Sequence, residues 1–177
     1  LAGGYTMSLP IEDKNYQSRS DIENEIITLM GGRVAESLKM GDISTGASND
    51  IGRATRLARS MVMKYGMSDI LGPVVYGSEH TNDEVFLGRD LNTARKYSEE
   101  TAALIDSEIK RIITDAYETA RRILTENDDK LEYIAAFLMK NALMVEEQFR
   151  RAMEDDPAPT FEELEELDAE RRRRMAQ

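Results

Sequence analysis

The stretch SDIENEIITLMGGRVAESLKMGDISTGASNDIGRATRLARSMVMKYG, residues 20–66, decides the fold class. Its apolar residues recur every three or four positions: Ile22, Ile26, Leu29, Met30, Val34 and Leu38 before a polar interruption, then Ile51, Ala54, Leu57, Ala58, Met61, Val62 and Tyr65 after it. That spacing lines one face of a helix and predicts two amphipathic helices. Ser20-Asp21-Ile22-Glu23 has the form of a capping box, which puts the first helix start at Ser20. Gly41 can close that helix in a left-handed conformation, and Gly66 ends the second. Gly31 and Gly32 each cost about 1 kcal/mol inside a helix, which predicts the close approach of another backbone there. Gly41 to Asp50 are mostly small polar residues that bond their own backbone, so they read as a loop ending in a helix start.

Toward the amino end, Gly3-Gly4-Tyr5-Thr6-Met7-Ser8-Leu9-Pro10 combines β-favouring residues with apolar alternation and predicts one short strand. Beyond Gly66, the segment from Met67 to Asp90 carries Gly72-Pro73, Gly77 and Gly88 around Val74-Val75-Tyr76. It reads as a long irregular excursion with at most one small strand, and loops of that length are often functional. The longest helix is expected from Ser98 to about Glu126 through Ile105, Ile109, Ile112, Ala116, Ala120 and Ile123, with Asn127 turning the chain. Leu131, Ile134, Ala135 and Leu138 mark a further helix and Val145 to Met153 another, predicting packed antiparallel helices in the carboxyl half. The class is therefore mainly α, a helical domain with one or two short strands. After Asp155-Asp156-Pro157-Ala158-Pro159 comes a second capping box, Thr160 to Glu163, then an acidic run closing with Arg171 to Arg174. Few apolar residues remain there to bury, so residues 156–177 are expected as a charged tail, frayed or helical, to a domain spanning 1–155.

Composition narrows the function. The 177 residues suit one domain, and 34 acidic against 23 basic side chains leave a net charge of -11, which argues against nucleic-acid binding. There is no cysteine and a single histidine, His80, so neither a thiolate site nor a zinc site built on two imidazoles can be completed within these residues. No apolar run approaches the ~18 residues of a membrane span, so the expectation is a soluble piece. The first residue is Leu1, which together with the lone histidine suggests a fragment of a longer chain.

Asp50 stands where the polar loop enters the second helix, and unpaired N–H groups in that first turn favour an ionised carboxylate. It is a candidate metal ligand or, with Ser48 and Asn49, an ordinary capping residue. Glu36, among apolar neighbours on the first helix, either holds a ligand in place as an acceptor or points into water. His80 sits in the polar run Glu79 to Glu84 and reads as a surface residue. Ser44, Ser48 and Ser60 share one conceivable histidine base and no Gly-x-Ser-x-Gly elbow, which argues against triad chemistry. Gly46-Ala47-Ser48 is not followed by the Gly-Lys of a phosphate-binding loop.

Taken in order, Gly3-Gly4-Tyr5-Thr6, Gly31-Gly32-Arg33-Val34-Ala35-Glu36, Gly41 to Asp50, Tyr65-Gly66-Met67-Ser68, Leu71-Gly72-Pro73-Val74 and Val85 to Asp90 form a pattern. From about Leu1 to Arg151 it resembles the peptidase domain of the FtsH family, membrane-anchored, ATP-dependent zinc metalloproteases. The resemblance implies a mostly helical metallopeptidase domain that follows an ATPase module using ATP and Mg, assembles as a homo-hexamer and degrades membrane and soluble protein substrates. The membrane anchor would lie in segments outside these residues, with the protease domain on the cytoplasmic side or its organellar equivalent. In the family, zinc is held by two histidines of a His-Glu-x-x-His helix, whose Glu is the general base, and by an aspartate that matches Asp50. Glu36 matches the acidic residue that supports those ligands without touching the metal. Gly3, Gly4, Tyr5 and Thr6 match an edge strand along which substrate lies, paired through backbone hydrogen bonds. The His-Glu-x-x-His helix is not among these residues, so no catalytic residue is assigned in this chain, and the chain alone is expected neither to bind zinc tightly nor to cleave casein. A competing reading is a non-catalytic helical module for oligomerisation or adaptor contacts.

Overall fold

Helix α1 (Arg19–Lys39) begins earlier than the Ser20 capping box predicts, because a better box lies just upstream. Ser18 Oγ accepts the Asp21 N–H at 3.1 Å while Asp21 Oδ2 accepts the Ser18 N–H at 2.9 Å. Glu23, the expected partner, is paired instead with Arg19 at 2.8 Å. The molecule is described by a computed structural model that covers residue 6 and residues 16–76, 97–155 and 157–175. The expected strand at Gly3 to Pro10 lies outside the described residues apart from Thr6, as do His80 and Val85 to Asp90. The described part comprises two compact units, 1–120 and 121–177.

In the first unit, α1 buries Ile22, Ile26, Met30 and Val34, and α2 (Ser48–Met63) buries Ala54, Ala58, Met61 and Val62. The two helices pack on each other through these stripes. Small residues on α2 face large ones on α1, which lets the stripes interdigitate. Gly41, at φ +65°, follows the last turn of α1 as expected. The close backbone approach expected at Gly31 and Gly32 is not there: among the described residues nothing comes within 4 Å of a Cβ built on either. It occurs at Gly66, where φ is +60° and a Cβ would stand 2.9 Å from Pro73 Cα. A strap after α2 causes it. The Met67 N–H is donated to Met61 O and the Tyr76 N–H to Met63 O, each at 2.9 Å, so residues 67–76 fold back on the end of α2. Val74 to Tyr76 are irregular, and the β pairing in this strap is an isolated bridge between Ser68 and Gly72.

Helix α3 (Glu99–Glu126) is capped by Ser98, whose Oγ accepts the Thr101 N–H at 3.2 Å. Ile105, Ile109, Ile112, Ala116 and Ala120 are buried as expected, whereas Ile123 is exposed. The same stripe contains a carboxylate, Glu108, which is buried too.

The second unit holds α4 (Asp128–Asn141), α5 (Glu146–Glu154) and α6 (Phe161–Met175). Its buried core is Phe137, Ala152 and Leu164, with Tyr133, Ile134, Met144, Phe161 and Leu167 against it. One expectation changes here. The inward face of α4 carries Tyr133, Ile134 and Phe137, while Ala135 and Leu138 are exposed; an aromatic stripe one position off the aliphatic one wins because it buries more area. Of the two alternatives for the charged tail, the helical one is seen: it forms α6, started by the expected box in which Glu163 Oε2 accepts the Thr160 N–H at 2.7 Å, and held by fully buried Leu164. The described residues are thus mainly α: six helices and no named strand.

Candidate functional site

The geometry around Glu36 and Asp50 follows from how α1 and α2 are joined. Glu36 lies in the last turn of α1 with its side chain only 18% exposed. It does not simply point into water. Its Oε1 accepts the Ser44 hydroxyl at 2.5 Å and its Oε2 accepts the Ser44 N–H at 3.2 Å. Arg33, one turn back, brings Nη1 to 3.5 Å from Oε2. These donors hold the Glu36 carboxyl below its ordinary range, the Ser44 hydroxyl contributing most. Ser44 Oγ in turn accepts the Gly46 N–H at 3.0 Å. One carboxylate therefore clamps the middle of the loop to α1.

The loop ends on Ala47, buried, which occupies the cap position of α2 without a side-chain hydrogen bond. The expectation that Ser48, Asn49 and Asp50 do the capping is thereby corrected: they form the first turn itself. Asp50 lies four residues before Ala54 and eight before Ala58, on the stripe that α2 turns toward α1, and is half-buried. An ionised group in that turn also meets the positive end of the helix dipole. Glu36 and Asp50 thus share one end of the α1–α2 pair, linked through Ser44 and the loop.

Among the described residues no three of His, Cys, Asp and Glu gather as a metal-binding group. Thr6, from the expected substrate strand, is exposed; Gly3, Gly4 and Tyr5 lie outside the described residues. A cleft of about 180 Å³ between α1 and α3 is lined by Ile26, Arg111, Ile112 and Asp115, and one of about 250 Å³ in the second unit by Phe137, Leu143 and Glu165. Neither is lined by Asp50 or Glu36.

One polar network escaped the sequence reading. Buried Glu108 on α3 accepts the Ser68 hydroxyl at 2.7 Å and is paired with Arg111 Nε at 2.8 Å. Arg111 holds its carboxyl below the ordinary range, with Ser68 assisting against burial. Next to Ser68, Asp69 receives two hydrogen bonds from Arg19, at 2.8 and 3.0 Å. The strap is thus pinned to α1 and α3. The available signal was position: Glu108 falls three residues after Ile105 and four before Ile112, on an otherwise apolar stripe.

Comparison with known proteins adds the family. The model of peptidase family M41 matches residues 1–152. The chain is 57% identical over 158 residues to the ATP-dependent zinc metalloprotease FtsH of Caldicellulosiruptor bescii, covering 89% of this chain and 25% of that protein. It is 57% identical over 150 residues to FtsH 1 of a Thermoanaerobacter species, 85% of this chain and 24% of that protein. The Bacillus subtilis FtsH is 47% identical over 158 residues, 89% and 25% of the respective chains. The chain thus spans about a quarter of the length of these relatives.

Proposed function

The chain belongs to peptidase family M41, and from that premise we propose that it forms part of the peptidase domain of an ATP-dependent zinc metalloendopeptidase, with Asp50 as a zinc ligand. Supporting this reading is the position of Asp50: half-buried, in the first turn of α2, on the stripe facing α1, at the end of a loop that Glu36 holds. A carboxylate oxygen suits zinc, and a catalytic zinc takes three protein ligands. Asp50 fits one of those places; among the described residues no three of His, Cys, Asp and Glu gather to complete the set. When bound, zinc acidifies a water and polarises a peptide carbonyl. The part of this chain is to supply and aim one oxygen donor, with Glu36 keeping the approach to α2 in place. ATP-driven unfolding, a homo-hexameric ring, a membrane anchor outside these residues and broad protein substrates complete the proposal. None of the described helices is long and apolar enough to cross a membrane.

The test uses the C. bescii FtsH with its matching 158-residue segment replaced by this chain's. It should degrade casein with ATP, lose that activity to a chelator, and lose it again on Asp50→Asn. Full activity of Asp50→Asn would remove the reading. The 177-residue chain alone, with one histidine and no cysteine, should hold no stoichiometric zinc after dialysis.

A further inference from the structure

Resting on that role of Asp50, we infer that Ser44 is the positioning residue for its carboxylate, acting through the backbone without touching substrate or metal. Three hydrogen bonds converge on this one small residue. Its Oγ donates to Glu36 Oε1 at 2.5 Å, its N–H donates to Glu36 Oε2 at 3.2 Å, and its Oγ accepts the Gly46 N–H at 3.0 Å. The first pair ties the loop to α1; the third ties the loop to itself at Gly46, two residues before the start of α2. Among the described residues, no side-chain hydrogen bond from the cap holds that helix start. Its cap is an alanine with no side-chain oxygen, leaving the main-chain bonds Ser48 N–H to Thr45 O and Ile51 N–H to Ala47 O, both at 3.0 Å.

The space around the clamp is as tight as its bonding. A Cβ on Gly46 would lie 3.1 Å from Ser44 Oγ and 3.5 Å from Glu36 Oε1, so even one added methyl presses on the hydroxyl. Ser44 can therefore be removed, kept or crowded by single substitutions. Without the hydroxyl, Glu36 keeps Arg33 and the Ser44 N–H but loses its shortest bond to the loop, the one at 2.5 Å. The first turn of α2, and Asp50 with it, then samples several positions. A donor that wanders binds its ion more weakly even though its chemistry is unchanged.

The decisive measurement is zinc affinity, read by competition with a chromophoric chelator, in the C. bescii FtsH carrying the matching part of this chain. Ser44→Ala should bind zinc on the order of tenfold more weakly, Ser44→Thr should restore the parent affinity, and Gly46→Ala should fall between. In the 177-residue chain, Ser44→Ala should speed amide exchange at Ser48 and Ile51, the bonded amides of that helix start, while leaving the middle of α2 protected. Parent affinity in Ser44→Ala, beside zinc loss in Asp50→Asn, would overturn the role of Ser44 and leave Asp50 standing. Equal weakening by Ser44→Ala and Ser44→Thr would overturn it as well, since the hydroxyl would not be the cause. Zinc retention by Asp50→Asn would bring down the reading beneath.

Discussion

The pair α1–α2 and the group α4–α6 use their hydrogen-bonded polar side chains for different ends. In the first, Glu36 and Ser44 immobilise a loop and leave Asp50 at the end of the seam, where it can meet something outside the pair. In the second, buried Gln148 closes the structure on itself: its Oε1 accepts the Val145 N–H at 2.8 Å and its Nε2 donates to Leu164 O at 2.7 Å. Tyr133 does the same at the unit's edge, its hydroxyl donating to Pro159 O. A polar group satisfied wholly by backbone stabilises; one that fixes another charged group's surroundings prepares a site. Under the proposed function, the difference separates the region that carries Asp50 from a purely structural one.

The sharpest way to test that contrast is to hollow out the second unit. Phe137 is fully buried, so Phe137→Ala should cost about 3–5 kcal/mol, read as amide protection lost across α4–α6. Unchanged protection there would show that the aromatic cluster is not what holds the unit together. Next comes the strap of the first unit. Gly66→Ala forces an L-residue to φ +60° and a Cβ onto Pro73, a cost of at least about 1–2 kcal/mol, visible as a lower denaturation midpoint. Glu108→Gln should cost a comparable amount, about 1.5–3 kcal/mol, because a charge-assisted pair with Arg111 is lost from a buried position. Its pH dependence has a definite sign. The folded carboxyl titrates below its ordinary 4.5, so its contribution is complete above that pH and disappears as acid carries the pH through the lower folded value. The parent should lose stability in that acid window more steeply than Glu108→Gln. Smallest of all is Arg150→Ala: its partners Glu147 and Glu154 are exposed, so no change in the denaturation midpoint should be resolved at physiological salt.

Periodicity made the first unit legible, since Ile22, Ile26, Met30 and Val34 against Ala54, Ala58 and Met61 repeat long enough to show which faces meet. The second unit was less so. Its core is a few aromatics on α4 and α6 with Ala152 of α5 between them in sequence, and Leu164 amid glutamates gives no stripe to read even though it is fully buried. Asp50 stood out by its place after a small polar loop and by the resemblance. Ser44 and Glu108 did not. The first matters through bonds to a residue eight positions away, the second through a hydroxyl forty positions away, and local spacing carries neither. Gly31 and Gly32 show the converse: a pair that looks like a packing signal has open space around it among the described residues.

The claim that Asp50 is a metal ligand is tested most directly by counting zinc. In the C. bescii FtsH carrying the matching part of this chain, elemental analysis after exhaustive dialysis should find about one zinc per subunit, and Asp50→Asn should fall far below that while its helical circular dichroism is retained. Equal zinc in the two proteins would contradict the account.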